Sequence, residues 1–253
     1  MAETKVPTVV VDDLHVVYRV HGPGAAASPA AGLRRLVTGK PSAAIREVHA
    51  VRGVTLVAYE GEAIGIVGTN GSGKSTLLQA IAGLLPAARG QVYTRGQPSL
   101  LGINAALMPD VSGDRNAVLG CLAMGMSRAD ARRAVPDILA FSGINERGDF
   151  GTLPMRTYSA GMAARLRFAI ASAKPHEVLL IDEALATGDA RFRARSEERV
   201  RELRATAGTV ILVSHQLRSI RDTCERTIWI ESGRLRLDGP TDEVLAAYES
   251  FSR

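Results

Sequence analysis

Aromatic residues make up only 4% of this 253-residue chain, with a single tryptophan, and cysteine occurs just twice. Cys121 and Cys224 match no metal-ligand spacing, and one possible disulfide does not make a framework. They read as packed free thiols in a reducing cytosol. No run approaches the roughly 18 apolar residues needed to cross a bilayer. The start, Met1-Ala2-Glu3-Thr4-Lys5, lacks the basic-then-apolar order of a secretory leader. A strong excess of one charge is missing too. The net +5 permits contact with an anionic membrane or nucleic acid and compels neither. Ala and Arg are plentiful where Phe and Lys are scarce, which reads as a bias of the source. What is present, 46% apolar and 23% charged residues, suffices for one large domain or two small ones with a substantial core.

Strand and helix patterns alternate along the chain. Val6–Val20 reads as a strand, and a Gly/Pro/Ala-rich stretch follows, in which Leu33-Arg34-Arg35-Leu36-Val37 is a candidate short amphipathic helix. A second strand is expected over Val48–Tyr59, and the apolar Ala63–Val67 fits a buried parallel strand. Ser75–Ala82 has helical spacing. Further strands are expected within Gln91–Leu101, and helices across Ser112–Phe141, with Ser127 as an N-cap. Arg156–Ala173 reads as loop then helix. Val178–Ile181 and Thr209–Val213 are buried strands flanking a charged helix over Ala190–Ala205. A hairpin turning at Ser232-Gly233 and a closing helix over Thr241–Ser250 complete the pattern. This order predicts an α/β fold with a mostly parallel sheet covered on both faces.

The chemistry concentrates at four places. Gly68-Thr69-Asn70-Gly71-Ser72-Gly73-Lys74-Ser75-Thr76 contains G-x-x-x-x-G-K-[ST] between a buried strand and a helix. Gly71 and Gly73 allow successive N–H groups to face phosphate oxygens, and the helix adds its positive end. Lys74 supplies a charge for the β- and γ-phosphates, and the Ser75 hydroxyl is placed for Mg²⁺. Gly68 and Asn70 through Thr76 are therefore candidate ATP contacts. Val178–Ile181 ends in Asp182-Glu183. Asp182 suits the magnesium side, acting through water. Glu183 suits the base that positions water for attack on the γ-phosphorus.

With that pair placed, Tyr158-Ser159-Ala160-Gly161-Met162 resembles the LSGGQ signature of the ABC ATPase family. Ser159 and Gly161 match its serine and second glycine. Ala184–Asp189 is similar to the family's D-loop, Val210–His215 to its switch strand, and Tyr18 to its adenine-stacking aromatic. The resemblance implies a P-loop NTPase cassette with a RecA-like core, an antiparallel β-subdomain and a helical subdomain at about 104–160, all in one domain over 1–253. It implies that Glu183, His215 and Lys74 serve catalysis. It also implies that Ser159, Gly161 and Asp189 act on nucleotide across a head-to-tail dimer with a second copy. One departure stands out. The loop around Leu100–Pro109 carries no glutamine, and Asn104 is the nearest amide, out of register.

Met162 after Ser-Ala-Gly, the Gly188-Asp189 pair and the 21–45 insertion resemble the ATPase subunits of polysaccharide exporters. That group moves O-antigen, teichoic acid or galactan. The resemblance implies a separate transmembrane permease as partner, a lipid-linked glycan as cargo, and a place on the cytoplasmic face of the plasma membrane. It implies no nucleic-acid partner. The Ala/Arg-rich composition points to a galactan exporter, and no carbohydrate-binding domain is expected within these 253 residues. Another ABC transporter's ATPase, importer or exporter, stays open, as does a soluble ABC ATPase acting on nucleic acid or ribosomes. Arg191–Arg199 reads as a solvated helix face with intrahelical pairs.

Overall fold

The computed structural model describes residues 5–21, 45–101, 107–146, 148–182 and 190–252. The candidate helix at 33–37 lies outside them. Two sheets organise the chain. Strands β1 (Pro7–His21), β2 (Ile45–Tyr59) and β4 (Arg89–Thr94) form an antiparallel sheet in the order β2-β1-β4. The second sheet has the order β5-β6-β7-β3-β8-β9. It contains β3 (Ala63–Val67), β5 (Ser99–Leu100), β6 (Val178–Asp182), β7 (Thr209–Val213), β8 (Arg226–Glu231) and β9 (Arg234–Pro240). All its neighbours pair parallel except β8 and β9, the expected hairpin. The burial of β3, β6 and β7 explains their continuous apolar runs, since helices cover both faces of such a sheet.

One core lies between the two sheets. Helix α1 (Lys74–Ile81) fills it with Leu77, Leu78 and Ile81, each essentially inaccessible. Each such side chain contributes about 2 kcal/mol by leaving water. Thr209 joins the sheets: its hydroxyl contacts that of Thr8 at 2.7 Å and donates to the Tyr59 carbonyl at 3.0 Å.

The opposite face of the parallel sheet is covered by α5 (Ala190–Thr206), α6 (Leu217–Thr223) and α7 (Thr241–Phe251). A third core joins α2 (Gly113–Ala123), α3 (Arg128–Ser142) and α4 (Ala160–Ala171). Ser127 caps α3 by accepting from the Asp130 amide at 3.1 Å, as its position suggests. The buried Asn116 organises the entry to this helical unit. Its amide nitrogen donates to the carbonyls of Met108, Val111 and Ser112, and its oxygen accepts from the Met108 amide. Three phenylalanines link the unit to the sheet. Phe141 stacks on Phe168 at 6.0 Å, and Phe192 meets both edge-on.

The charged helix α5 departs in part from the expected solvated face. Arg199–Glu202 and Arg201–Glu198 are intrahelical pairs at 2.8 and 2.7 Å. Arg195 instead lies over the rings of Phe141 and Phe192 and reaches Glu146, 3.7 Å away. A guanidinium stacks on aromatic faces more readily than it holds a solvated pair, so this arginine turns inward. Both cysteines are buried free thiols, and burial raises Cys224 to about 11.

Candidate nucleotide site

Parallel strands end at the same edge of a sheet, and that edge gathers the candidate residues. Val67 of β3 leads into the glycine-rich loop, Val213 of β7 into Ser214 and His215, and β6 ends on Asp182. Strand β7 lies between β3 and β6, and Asp182 pairs with Val213. Loop, histidine and acid thus meet at one edge although the chain separates them widely.

The loop curls because its glycines take positive φ values: 152° at Gly68, 79° at Gly71 and 105° at Gly73. At two of them space is also lacking. A Cβ on Gly68 would lie 2.0 Å from the Ile230 carbonyl oxygen, and one on Gly73 would lie 2.3 Å from that of Ala50. The Ser72 amide donates to Thr69 across the turn, and α1 begins with Leu77 donating to Gly73. The amides of Gly71, Gly73, Lys74 and Ser75 meet no acceptor among the described residues. The buried Ser72 hydroxyl likewise has no partner there. Aligned N–H groups at the head of a helix suit phosphate oxygens.

Lys74 is the first residue of α1 and is 5% exposed. Its ammonium donates to the carbonyls of Gly68 at 2.8 Å and Thr69 at 2.9 Å, closing the loop into a ring. Burial lowers its pKa, while the charges of Asp182 and Glu231 oppose that shift. Asp182 is buried at the strand end, and Ser75 is exposed on the first turn of α1. No three-residue cluster of His, Cys, Asp or Glu exists among the described residues. Ser75 offers a hydroxyl and Asp182 a carboxylate, donors of the kind a hydrated Mg²⁺ accepts.

Tyr18 on β1 stands beside this loop, its hydroxyl 3.4 Å from that of Thr76. Tyr18 is 37% exposed. His215 is exposed directly after β7. Ser159 and Gly161 lie elsewhere, exposed at the head of α4, where the Ser159 hydroxyl accepts from the Met162 amide at 3.1 Å. The candidate residues thus divide between the loop edge and the head of α4 in the helical unit. Glu183 and Asp189 fall outside the described residues, as does Asn104.

The loop has an outer wall that no sequence motif marks. Glu231, at the end of β8, accepts from the Thr69 hydroxyl at 2.7 Å and from the Thr69 amide at 3.5 Å. The Gly233 amide donates to the Ser72 carbonyl at 2.8 Å. The hairpin turn at Ser232-Gly233 was visible in the sequence. Its contact with a loop 162 residues earlier carried no local signal.

The ABC transporter family model matches residues 51–186. Over 203 residues the chain is 39% identical to the teichoic acids export ATP-binding protein TagH of Staphylococcus epidermidis, covering 80% of this chain and 76% of that protein. It is also 39% identical over 202 residues to the O-antigen export system ATP-binding protein RfbB of Myxococcus xanthus, covering 79% of this chain but 46% of that one. In fold it is similar to a dimeric ATP-binding cassette solved in a post-hydrolysis state with ADP and Pi. That likeness has a TM-score of 0.66 at 21% identity and covers 92% of this chain and 98% of that one. A second solved structure, the ATP-binding subunit of an ABC transporter, gives a TM-score of 0.67 at 22% identity, covering 96% and 93% of the two chains. A phosphate-loop edge of this geometry, in a chain whose family model spans more than half of it, is that of an ATP-binding cassette: the chain belongs to the ABC transporter family.

Proposed function

We propose that this chain is the ATP-hydrolysing subunit of an ABC exporter that moves a lipid-linked polysaccharide across the plasma membrane, working from the cytoplasmic face. The observation that carries the cargo class is the identity of 35–39% to teichoic-acid and O-antigen export ATP-binding proteins over about four fifths of the chain. Galactan is the specific glycan we favour, on the Ala/Arg-rich composition.

In this reading two copies associate head to tail, and each ATP lies between one copy's loop and the other's Ser159 and Gly161. The exposure of both residues at a helix head, away from their own chain's loop, supports that arrangement. The loop amides and Lys74 hold the phosphates, and Tyr18 stacks on the adenine. Ser75, and Asp182 through water, would hold a Mg²⁺ that would neutralise charge on the phosphates. Glu183 takes the proton of the attacking water, His215 steadies the γ-phosphate, and Asp189 communicates between the copies. Closure does mechanical work because nucleotide binds the closed pair more tightly than the open one. A separate permease, docked on the helical unit, follows that change.

The test is phosphate release by the purified chain, alone and reconstituted with its permease and a lipid-linked glycan. Lys74→Ala should lower ATP affinity by about two orders of magnitude, since it removes charge-assisted contacts. Stimulation by glycan supports export of that class. ATP turnover indifferent to every glycan offered would remove the cargo assignment and leave the ATPase.

A further inference from the structure

We infer that Glu231 is a positioning residue for nucleotide: it holds the phosphate loop in its binding shape from outside, through Thr69. This rests on the ATPase reading above and adds to it a part of the site contributed by the hairpin near residue 232.

The donors that converge on this carboxylate make the case. The Thr69 hydroxyl donates at 2.7 Å to one oxygen. The Thr69 amide and the Trp229 indole N–H both point at the other, each at 3.5 Å. A backbone hydrogen bond from Ser232 adds to these, and together they hold Glu231 below the usual carboxylate range despite its desolvation. The Thr69 and Trp229 N–H groups can only donate, and both meet the same oxygen, whereas the Thr69 hydroxyl could also accept. A glutamine would therefore keep the contacts but lose the charge that strengthens them, and an aspartate would fall short by a methylene.

The loop is restrained from this wall at three points. Thr69 is tied by its side chain and amide to Glu231. The Ser72 carbonyl accepts from Gly233 at 2.8 Å, and Gly233 in turn accepts from the Arg52 amide of β2 at 2.8 Å. The Ile230 carbonyl lies so close to Gly68 that no side chain fits between them. Only the first of these is made by side chains, so only it can be removed without altering the backbone. The Thr69 carbonyl also accepts from Lys74, so a shift of Thr69 displaces the ammonium as well as the amides. Trp229 is itself packed by Tyr248 and Phe251 of α7, with ring centroids 5.7 and 5.0 Å away, which fixes the acid's backbone.

A loop that must be reordered on each binding event weakens ground state and transition state alike. The signature is a raised KM with little change in kcat. A residue that matters only for stability does the reverse: it lowers the active fraction and leaves KM alone. The experiment measures ATP and ADP affinity and the kinetics of phosphate release for wild type, Glu231→Gln, Thr69→Val, the double variant and Thr69→Ser. Glu231→Gln and Thr69→Val should each raise KM for ATP and weaken ADP about tenfold, with kcat within about twofold. The double variant should lose no more than either single one, because both remove the same contact. Thr69→Ser, which restores the hydroxyl, should recover most of the loss. Should Glu231→Gln not fold, the Thr69 pair still decides. Unchanged KM in Thr69→Val, or additive losses in the double variant, overturns the inference. A wild-type chain that binds no ATP would instead overturn the ATPase reading beneath it.

Discussion

Two buried nitrogen bases show how burial alone leaves the role of a residue open. Lys74 and His176 are each 5% exposed, and burial lowers the pKa of both. Around Lys74 the carboxylates of Asp182 and Glu231 oppose that shift. Around His176 the nearby Lys174 adds to it, and a ring nitrogen contacts the Ala171 carbonyl at 2.7 Å. His176 therefore serves the fold as a neutral ring whose N–H donates to that carbonyl. Its folded pKa lies below the unfolded value of 6.5, so on acidification the unfolded chain takes up the proton first. The stability tied to this residue is full above that value and is lost as pH falls below it. The slope is at most one proton, about 1.4 kcal/mol per pH unit. Urea midpoints at pH 7.5 and 5.5 should differ less in His176→Gln than in wild type. An equal difference in both would place the acid sensitivity elsewhere.

The elements show where sequence was informative. Continuous apolar runs with an abrupt polar end, as at Val178–Asp182 and Thr209–Ser214, mark central parallel strands because they are buried on both faces. Helix α6 carries no sequence signal. It has seven residues, two apolar positions and no side-chain cap at Gln216, which is too little for a helical period to emerge. Tertiary contact decides it: Ile220 is fully buried against the parallel sheet. Most residues of the loop edge were legible from motif order, since Lys74, Asp182 and His215 each follow or end a strand of that kind. Glu231 was not, because an acid at a strand end before a turn also describes any solvated hairpin. The phenylalanine cluster is similar in this respect, with its members spread over three helices. Phe168→Ala should cost about 3–5 kcal/mol in urea unfolding, since it opens a cavity where α3, α4 and α5 meet. Phe168→Leu should cost less than half of that. A loss below about 1 kcal/mol in the alanine variant would show that the helices close over the gap.

At the scale of the whole molecule, Lys74 begins the helix on the loop edge while Ser159 and Gly161 sit at the head of α4 in the helical unit, and the proposed function takes one group from each of two copies. Glu183→Gln should retain ATP with turnover nearly abolished, and it should accumulate as a dimer with ATP and a monomer without it. Sedimentation velocity would show the shift. Gly161→Asp added to that background should block the dimer through charge repulsion with phosphate while sparing the monomer. Among the described residues a Cβ at Gly161 would meet only the Ser159 hydroxyl oxygen, at 3.9 Å. Dimerisation undiminished by Gly161→Asp would remove Gly161 from the shared interface. The outer wall of the phosphate loop has a further consequence, for synthesis. Translation reaches Lys74 early, but β8, one of the two strands paired with β3, and the acid that ties Thr69 lie beyond residue 225. A nascent chain halted at Cys224 thus carries the whole glycine-rich motif but lacks its outer support. Such a chain should bind ATP more weakly than the full 253 residues, a difference that equilibrium dialysis would read.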